Sequence, residues 1–471
     1  MKRYPRNLIG HYGNQQKISW PNNAKIAVQF VVNYEEGGEN CILHGDQQSE
    51  AFLSEIIGAQ PWNNQRHWNM ESIYDYGARA GFWRLKDLFT EASIPVTVYG
   101  VATALARSPD QMLAMQNAGW EIASHGYKWI DYKDFHRDDE AEQIKMAIEL
   151  HQQVTGTRPK GWYTGRCSHN TVDLVCEMGG FAYISDSYAD DLPYWHIHEG
   201  KPHLIIPYTL DANDMRFAAP QGFNSGDQFF TYLRDSFDSL YREGENGYPK
   251  MLSIGLHCRL IGRPGRIESL RRFIEYMQAH DQVWYTRRID IANFWHQNYP
   301  CDTEEYYNKP SNMDRSSFIE KFSDVFKNAS WLAKSTFELE LGPAHDTVTG
   351  LHNAFCRAFR AAGKEKKLAV LIAQPNFIDE LVTIDTPRKN GCQDTDDFIN
   401  LKSNERMLLT DLTDQYLSKF GYHLIVSVKD LSKKEVTKLF EERLKNDKEI
   451  EFSLACREIE KIALLHLKKI V

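Results

Sequence analysis

Short apolar, β-branched runs recur along the first 290 residues, and segments with helical spacing separate most of them. The runs fall at residues 26–32, 96–101, 120–123, 161–163, 183–185, 204–208, 251–256 and 283–286. Helical periodicity occupies residues 77–92 (GARAGFWRLKDLFTEA), 111–118 and 141–154, the last ended by Gly156. Strands joined by crossovers of this length pair in parallel, so the chain is expected to open with an α/β fold, and at this size a (β/α) barrel rather than an open sheet. No G-x-G-x-x-G follows the first run, which argues against a dinucleotide site.

The alternation stops at residues 297–313 (QNYPCDTEEYYNKPSNM), a polar stretch with two prolines. A chain of 471 residues exceeds one ordinary core. The expected division is a first domain over 1–298, a linker over 299–312 and an all-α domain over 313–471. In the last part Phe318, Ile319, Phe322, Val325 and Phe326 share one helical face, Ser432 with Glu435 forms a capping box, and residues 452–469 read as a closing helix.

Composition narrows the partners. A net charge of −9 without a basic run opposes nucleic acid or an anionic membrane as partner. No apolar stretch is long enough to span a bilayer, and the N-terminus (MKRYPRNLIGHYGNQQ) lacks an apolar signal core, so a cytoplasmic protein is expected. Cys41, Cys167, Cys176, Cys258, Cys301, Cys356, Cys392 and Cys456 are scattered without a C-x-x-C pair and read as reduced thiols.

Chemistry-bearing residues collect where the strand candidates end. Asn33-Tyr34-Glu35-Glu36-Gly37-Gly38 follows the first run, Ser124-His125-Gly126 the third, Arg166 the fourth, Asp186 the fifth, and His257 the seventh. An isolated Glu-Glu pair after a strand is usually solvated surface, and a lone histidine there is usually structural. In a parallel barrel, however, these positions converge on one mouth. Two carboxylates, two histidines, an arginine and an aspartate gathered there supply general acid/base groups and an anion-stabilising cation.

The same residues, in the same order, resemble the motifs of the polysaccharide deacetylase superfamily, whose fold is a distorted (β/α) barrel. The wording NYEEGGEN, YGARAGFWRL, ASHGYKWIDY, WYTGR, SDSYADDLPYW, PYTLDANDMRF, GFNSGDQF and GLHCRLIGRPGR resembles its metal-independent allantoinases, nearly continuously over residues 3–297. The metal-dependent members carry an Asp-Asp pair and an H-x-x-x-H motif. Here the pair is Glu35-Glu36, and the second motif runs from His125 to Trp129. An indole N–H only donates, so Trp129 removes a ligand and the expectation is chemistry without a metal or other cofactor.

The resemblance implies hydrolysis of the hydantoin ring of allantoin to allantoate, in purine catabolism. Either Glu35 or Glu36 would activate water, His125 and His257 would relay a proton to the leaving nitrogen, and Arg166 would hold the ureido or carbonyl oxygens. Trp129, Asp186, Asn213, Asp214 and Asn224 are the residues expected to shape the substrate pocket. The resemblance further implies a homo-oligomer, a tetramer, with the small ureide as its partner molecule.

Residues 312–471 resemble the all-α decarboxylases of 2-oxo-4-hydroxy-4-carboxy-5-ureidoimidazoline (OHCU), through FIEKFSDVFKNASWLA, LSKFGYHLIVSVKD and LFEERLKNDKEIEFSLACREIEKIALLHL. Where that family has His-Pro-Asp-Leu, this chain has Gln374-Pro375-Asn376-Phe377. Its Ser-x-x-Glu-Gln element is degenerate in residues 391–401, with Thr395 near the Glu position, and a family arginine is replaced by His466. An amide does not exchange a proton as imidazole does, so this domain is expected to be inactive. The competing readings are a bifunctional enzyme with a working decarboxylase, a metal-dependent deacetylase of N-acetylated sugars, and a non-enzymatic ureide-binding scaffold.

Overall fold

The computed structural model describes residues 6–8, 10, 17–56, 58–376, 403–427 and 433–470. The chain divides into two compact units, Gly10–Cys301, and Asp302–Val471 together with Met1–Ile9.

The first unit is built on β1 (Ile26–Tyr34), β2 (Val96–Gly100), β3 (Glu121–Ser124), β4 (Gly161–Trp162), β5 (Tyr183–Ile184), β6 (Tyr194–His198), β7 (Lys201–Ile205), β8 (Lys250–His257) and β9 (Val283–Tyr285). They form one curled sheet in the order β6-β7-β5-β4-β3-β2-β1-β8, with β9 also pairing β1. This is a half-barrel of the deacetylase type, with helices packed outside it. Every pairing is parallel except β6 with β7. That antiparallel hairpin is a feature the sequence pattern does not show. Its first strand, YWHIH, is half-buried throughout and carries no apolar alternation.

β1 lies between β2 and β8, and all nine of its residues are buried. Continuous burial explains its near-unbroken Val/Ile/Phe composition. Of its two amide residues, Asn33 donates to the Tyr208 hydroxyl, and Gln29 accepts from Arg288 Nη1 at 2.8 Å. Arg288 is itself sealed from solvent and also reaches the Ser253 and Ser185 hydroxyls and the Ile206 and Pro207 carbonyls. One guanidinium therefore ties β1, β8 and the segments just after β5 and β7 across the interior of a barrel that strand pairing leaves open. Outside, Phe229, Leu233 and Phe237 recur every four residues on the helix Gly226–Glu245, which Ser225 caps by accepting from the Gln228 N–H. They pack with Phe273 and Met277 of Pro264–Gln278. Truncating Phe237 to Ala in that seam costs about 3–5 kcal/mol.

The second unit is helical: Arg315–Phe322, Ser330–Phe337, Val348–Ala361, Lys364–Ile372, Ser403–Phe420, Lys433–Arg443 and Lys448–Ile470. Phe318, Phe322, Phe355, Phe359, Tyr416 and Phe440 lie in its core. The helix that opens it ends at Phe322, and Val325 and Phe326 reach the core from the following turn, not from the same helix. Residues 299–312, expected to be a linker, include a short helix, Thr303–Asn308, with Asp302 accepting from the Glu305 N–H. Ser432 of the expected capping box lies outside the described residues, as do Phe377, Cys392, Thr395 and all of 391–401. Among the described residues, no helix is long and apolar enough to cross a membrane, and Cys41, Cys167, Cys176, Cys258, Cys356 and Cys456 form no disulfide.

Candidate active site

Parallel pairing puts the C-terminal ends of β1, β2, β3 and β8 at one edge, with Asn33 in register with His257 and Gly100 with Ser124. Glu35, Glu36, His125 and His257 therefore leave the sheet together. All four are buried. Glu35 lies at the centre: its Oε1 is 3.3 Å from His125 Nε2 and 3.4 Å from His257 Nε2. Its Oε2 lies 2.6 Å from Nη1 of Arg259, two residues beyond His257. Burial raises the Glu35 carboxyl, but the charges of Arg259 and His257 and the histidine contacts outweigh it and hold the group well below the carboxylate range.

His257 is oriented from behind by Asp214. Its Nδ1–H donates to Asp214 Oδ1 at 2.6 Å, and Asp214 Oδ2 accepts from the backbone N–H groups of His257 and Ile261. Burial opposes the charged imidazole, but Glu35 and Asp214 overcome it and raise His257 to about 9. At neutral pH it is an imidazolium with its Nε2–H toward Glu35. His125 differs. Its Nδ1 donates to the Tyr163 carbonyl at 3.2 Å, and its buried Nε2 makes no hydrogen bond.

Glu36 faces elsewhere. Its Oε2 accepts from the Glu35 N–H, and its Oε1 lies 3.9 Å from Arg259 Nη1. The carboxylate lies against Gly77, where an added Cβ would approach Oε1 to 2.3 Å. Gly77 opens a π-helical turn, Gly77–Gly81, inside the helix expected from the sequence. At its other end a Cβ on Gly81 would meet the Cys258 carbonyl oxygen at 1.9 Å. The two glycines of GARAG thus let the helix close directly onto Glu36 and onto the turn that carries Arg259. Burial, partly offset by Arg259 and reinforced by Glu35, raises Glu36 to about 7; burial raises Glu39 to about 7 as well.

Trp129 forms the wall, held by its backbone N–H to the Gly38 carbonyl, with its ring stacked on Phe52. The guanidiniums of Arg166 and Arg259 both lie over its ring, at 5.1 and 5.2 Å from the centroid. Arg166 is partly exposed and pairs with Glu50, at 3.4 Å. The cation beside Glu35 is therefore Arg259, which the sequence reading missed although it stands in HCR directly after the strand-end histidine.

Four of the expected pocket residues have other work. Asp214 spends both oxygens on His257 and its turn, as above. Asn213 accepts from the Met215 N–H and donates to the Thr209 carbonyl. Asp186 is half-buried and accepts from the Thr164 and Gly165 N–H groups and from Cys167 Sγ. Asn224 is exposed, with its N–H donating to Gln228 Oε1. For Asp186, Asn213 and Asp214 the cause is shared: turns need side-chain acceptors for their own N–H groups, and sequence does not separate those from ligand contacts.

The donor set does not fit the metal of the metal-dependent relatives. Trp129 offers no lone pair, and Arg259 already places a fixed cation on Glu35. Among the described residues, the groups whose ligand atoms gather closely enough to hold an ion lie elsewhere in the fold.

A curled parallel half-barrel whose strand ends present paired acidic residues and histidines defines a hydrolase-type deacetylase barrel. Comparison with known proteins agrees. The polysaccharide deacetylase family profile matches residues 68–179, and the OHCU decarboxylase profile matches 311–468. A putative polysaccharide deacetylase of Schizosaccharomyces pombe is 42% identical over 314 residues, 63% of this chain and 98% of that protein. The crystal structure of a probable polysaccharide deacetylase from Pseudomonas aeruginosa is 57% identical, with TM-score 0.62, over 64% of this chain and all of that one. The crystal structure of PuuE allantoinase is 58% identical, with TM-score 0.62, over 63% of this chain and 99% of that one. For the second unit, an OHCU decarboxylase of Halalkalicoccus jeotgali is 26% identical over 157 residues, 33% of this chain and 86% of that protein. The chain belongs to the polysaccharide deacetylase family and carries a C-terminal OHCU decarboxylase domain.

Proposed function

We propose that the first unit is an allantoinase that opens the hydantoin ring of allantoin to allantoate. The observation that carries this reading is Glu35, held between two histidines and an arginine at the strand ends of a barrel that is 58% identical in sequence to PuuE allantoinase. Ring opening needs a base for water, an acid for the leaving nitrogen and positive charge at the tetrahedral oxyanion. Glu35 takes the proton of water: Glu36, although its affinity for a proton suits a base at neutral pH, faces the GARAG turn and not the histidines. Geometry takes precedence over pKa here. The His257 imidazolium protonates the ring nitrogen, Asp214 holds its orientation, and His125 Nε2 positions the water. Arg259 stabilises the oxyanion, while Trp129 and Arg166 receive the ureido arm.

Allantoin hydrolysis by chelator-dialysed protein tests this. Allantoate should form at an undiminished rate; a loss restored by added zinc would overturn the metal-free reading, and no hydrolysis in either state would overturn the activity.

The second unit is a retained decarboxylase fold without turnover. Gln374 is buried and its amide donates to the Val370 carbonyl, while His466 Nδ1 donates to the Val325 carbonyl, so both positions serve the helical frame. Freshly generated OHCU offered to the full chain should decay only at its spontaneous rate. Enantioselective conversion to allantoin would show the domain active.

A further inference from the structure

Away from the catalytic mouth, ligating side chains gather where the β6–β7 hairpin meets the helix Thr171–Met178. His196 and His198 alternate with Ile197 along β6, so both imidazoles leave one face of the hairpin. His203 stands directly opposite His196 on β7, and such partners share a face. Asp173 and Glu177 stand one turn apart on the helix beside them. One ligand atom from each of Asp173, His196 and His198 lies within 4.8 Å of the other two, and the same holds for Glu177, His198 and Glu199.

His198 is held at both ring nitrogens: Nδ1 is 3.3 Å from Asp173 Oδ1, and Nε2 is 3.2 Å from Glu177 Oε1. Glu177 also pairs with Arg137, which fixes it as the carboxylate that orients the ring from outside. His196 Nε2 is shielded from solvent and makes no hydrogen bond. A buried ring nitrogen without a partner costs about 1–3 kcal/mol, and an ion at this point would satisfy it. Asp173 is half exposed and leaves a path for an ion to enter.

We propose that Asp173, His196 and His198 bind one divalent transition ion of the zinc type, with water as the fourth ligand, pinning the hairpin to the helix. Bonds of about 2.0–2.1 Å in a tetrahedron set ligand atoms roughly 3.3 Å apart, so small rotamer changes close the observed spacing. Glu177 and Glu199 add negative charge around the site, against Arg137 and Lys201. The site is distinct in residues and location from the Glu35 centre, and it requires no part of the hydrolytic reading.

The test uses tag-free, chelator-stripped full-length protein, dialysed against Zn²⁺ or Co²⁺ with the bound ion counted. One ion per chain is expected, with the visible absorption of four-coordinate Co²⁺ and a rise in Tm of roughly 3 °C at saturation. H196N/H198N should lose the ion and the Tm shift. D173N, changed at a half-exposed helix position where the fold is safe, should weaken binding at least about tenfold. Binding that persists in H196N/H198N, an ion lost equally in H125A, or no ion bound at roughly 100 µM Zn²⁺ would overturn the proposal.

Discussion

Each unit holds a glutamate sealed from solvent that faces an arginine, Glu35 in the first and Glu451 in the second, and the two are treated in opposite ways. Glu451, on the closing helix of the second unit, accepts from the Tyr416 hydroxyl, from Arg443 Nε at 2.6 Å and from Asn446 Nδ2 at 2.7 Å. Arg443 Nη2 makes no hydrogen bond but still lies 2.5 Å from the carboxylate. Around Glu35 the histidines stop at 3.3 and 3.4 Å, Arg259 Nη1 lies 2.6 Å from the carboxylate, and His125 Nε2, Arg259 Nη2 and the Tyr74 hydroxyl are buried without hydrogen bonds. Each orphan of this kind costs about 1–3 kcal/mol. A saturated buried charge is scaffold; an unsaturated one is polar capacity held in reserve for a substrate.

Exchanging the two carboxylates for amides breaks the comparison if it is wrong. Glu35→Gln should lower kcat/KM for allantoin by at least about 10⁴-fold, since base and electrostatic anchor go together. Circular dichroism should still report a folded protein, because Glu36, 3.9 Å from Arg259, remains to face that cation. Glu451→Gln should do the reverse: hydrolysis unchanged, but stability down by about 3 kcal/mol because Arg443 is left buried against a neutral group. A glutamine at 35 that still turns over allantoin would remove Glu35 from the chemistry. Asp214→Asn comes next, at about 10³-fold, because an amide cannot hold the His257 Nδ1–H and stabilise the imidazolium together. Arg259→Met should cost about 10²-fold, mainly in kcat; a change confined to KM would make Arg259 a binding residue only.

The same contrast separates what the sequence shows from what it hides. Strand-end clusters announce Glu35, Glu36, His125 and His257, because parallel topology alone brings those positions to one edge. Choosing between Glu35 and Glu36 requires side-chain direction, and that is set by close packing of Gly77 and Gly81 far along the chain. Arg259 stays hidden for a similar reason: an arginine in a turn reads as solvated, and only the folded chain covers it with Tyr74 and Trp129. The β6–β7 hairpin is illegible because YWHIH pairs by backbone hydrogen bonds without an apolar face. In the second unit the apolar periodicity locates the core, but nothing local in the sequence shows that Phe318 and Phe326 reach it from different elements.

The smallest effect is the most diagnostic of how the two charges at residues 35 and 36 are kept apart. Burial raises Glu36, with Glu35 adding to the shift and Arg259 opposing it, to about 7. A carboxyl whose folded value lies above its unfolded value of about 4.3 contributes stability in full below that value and loses it as the pH rises through about 7. Glu39 adds a loss in the same window. His257, raised to about 9, contributes fully below about 6.5 and loses that contribution as the pH rises through about 9. The Tm of the wild-type protein should therefore fall in two steps, the first from about pH 4.3 to about 7 and the second from about 6.5 to about 9. Glu36→Gln should flatten the first step and leave the second, shifting Tm by roughly 2–4 °C at pH 8 relative to pH 6. Superimposable wild-type and variant curves would mean that Glu36 stays ionised throughout, and the assignment of the working base to Glu35 would lose its electrostatic half.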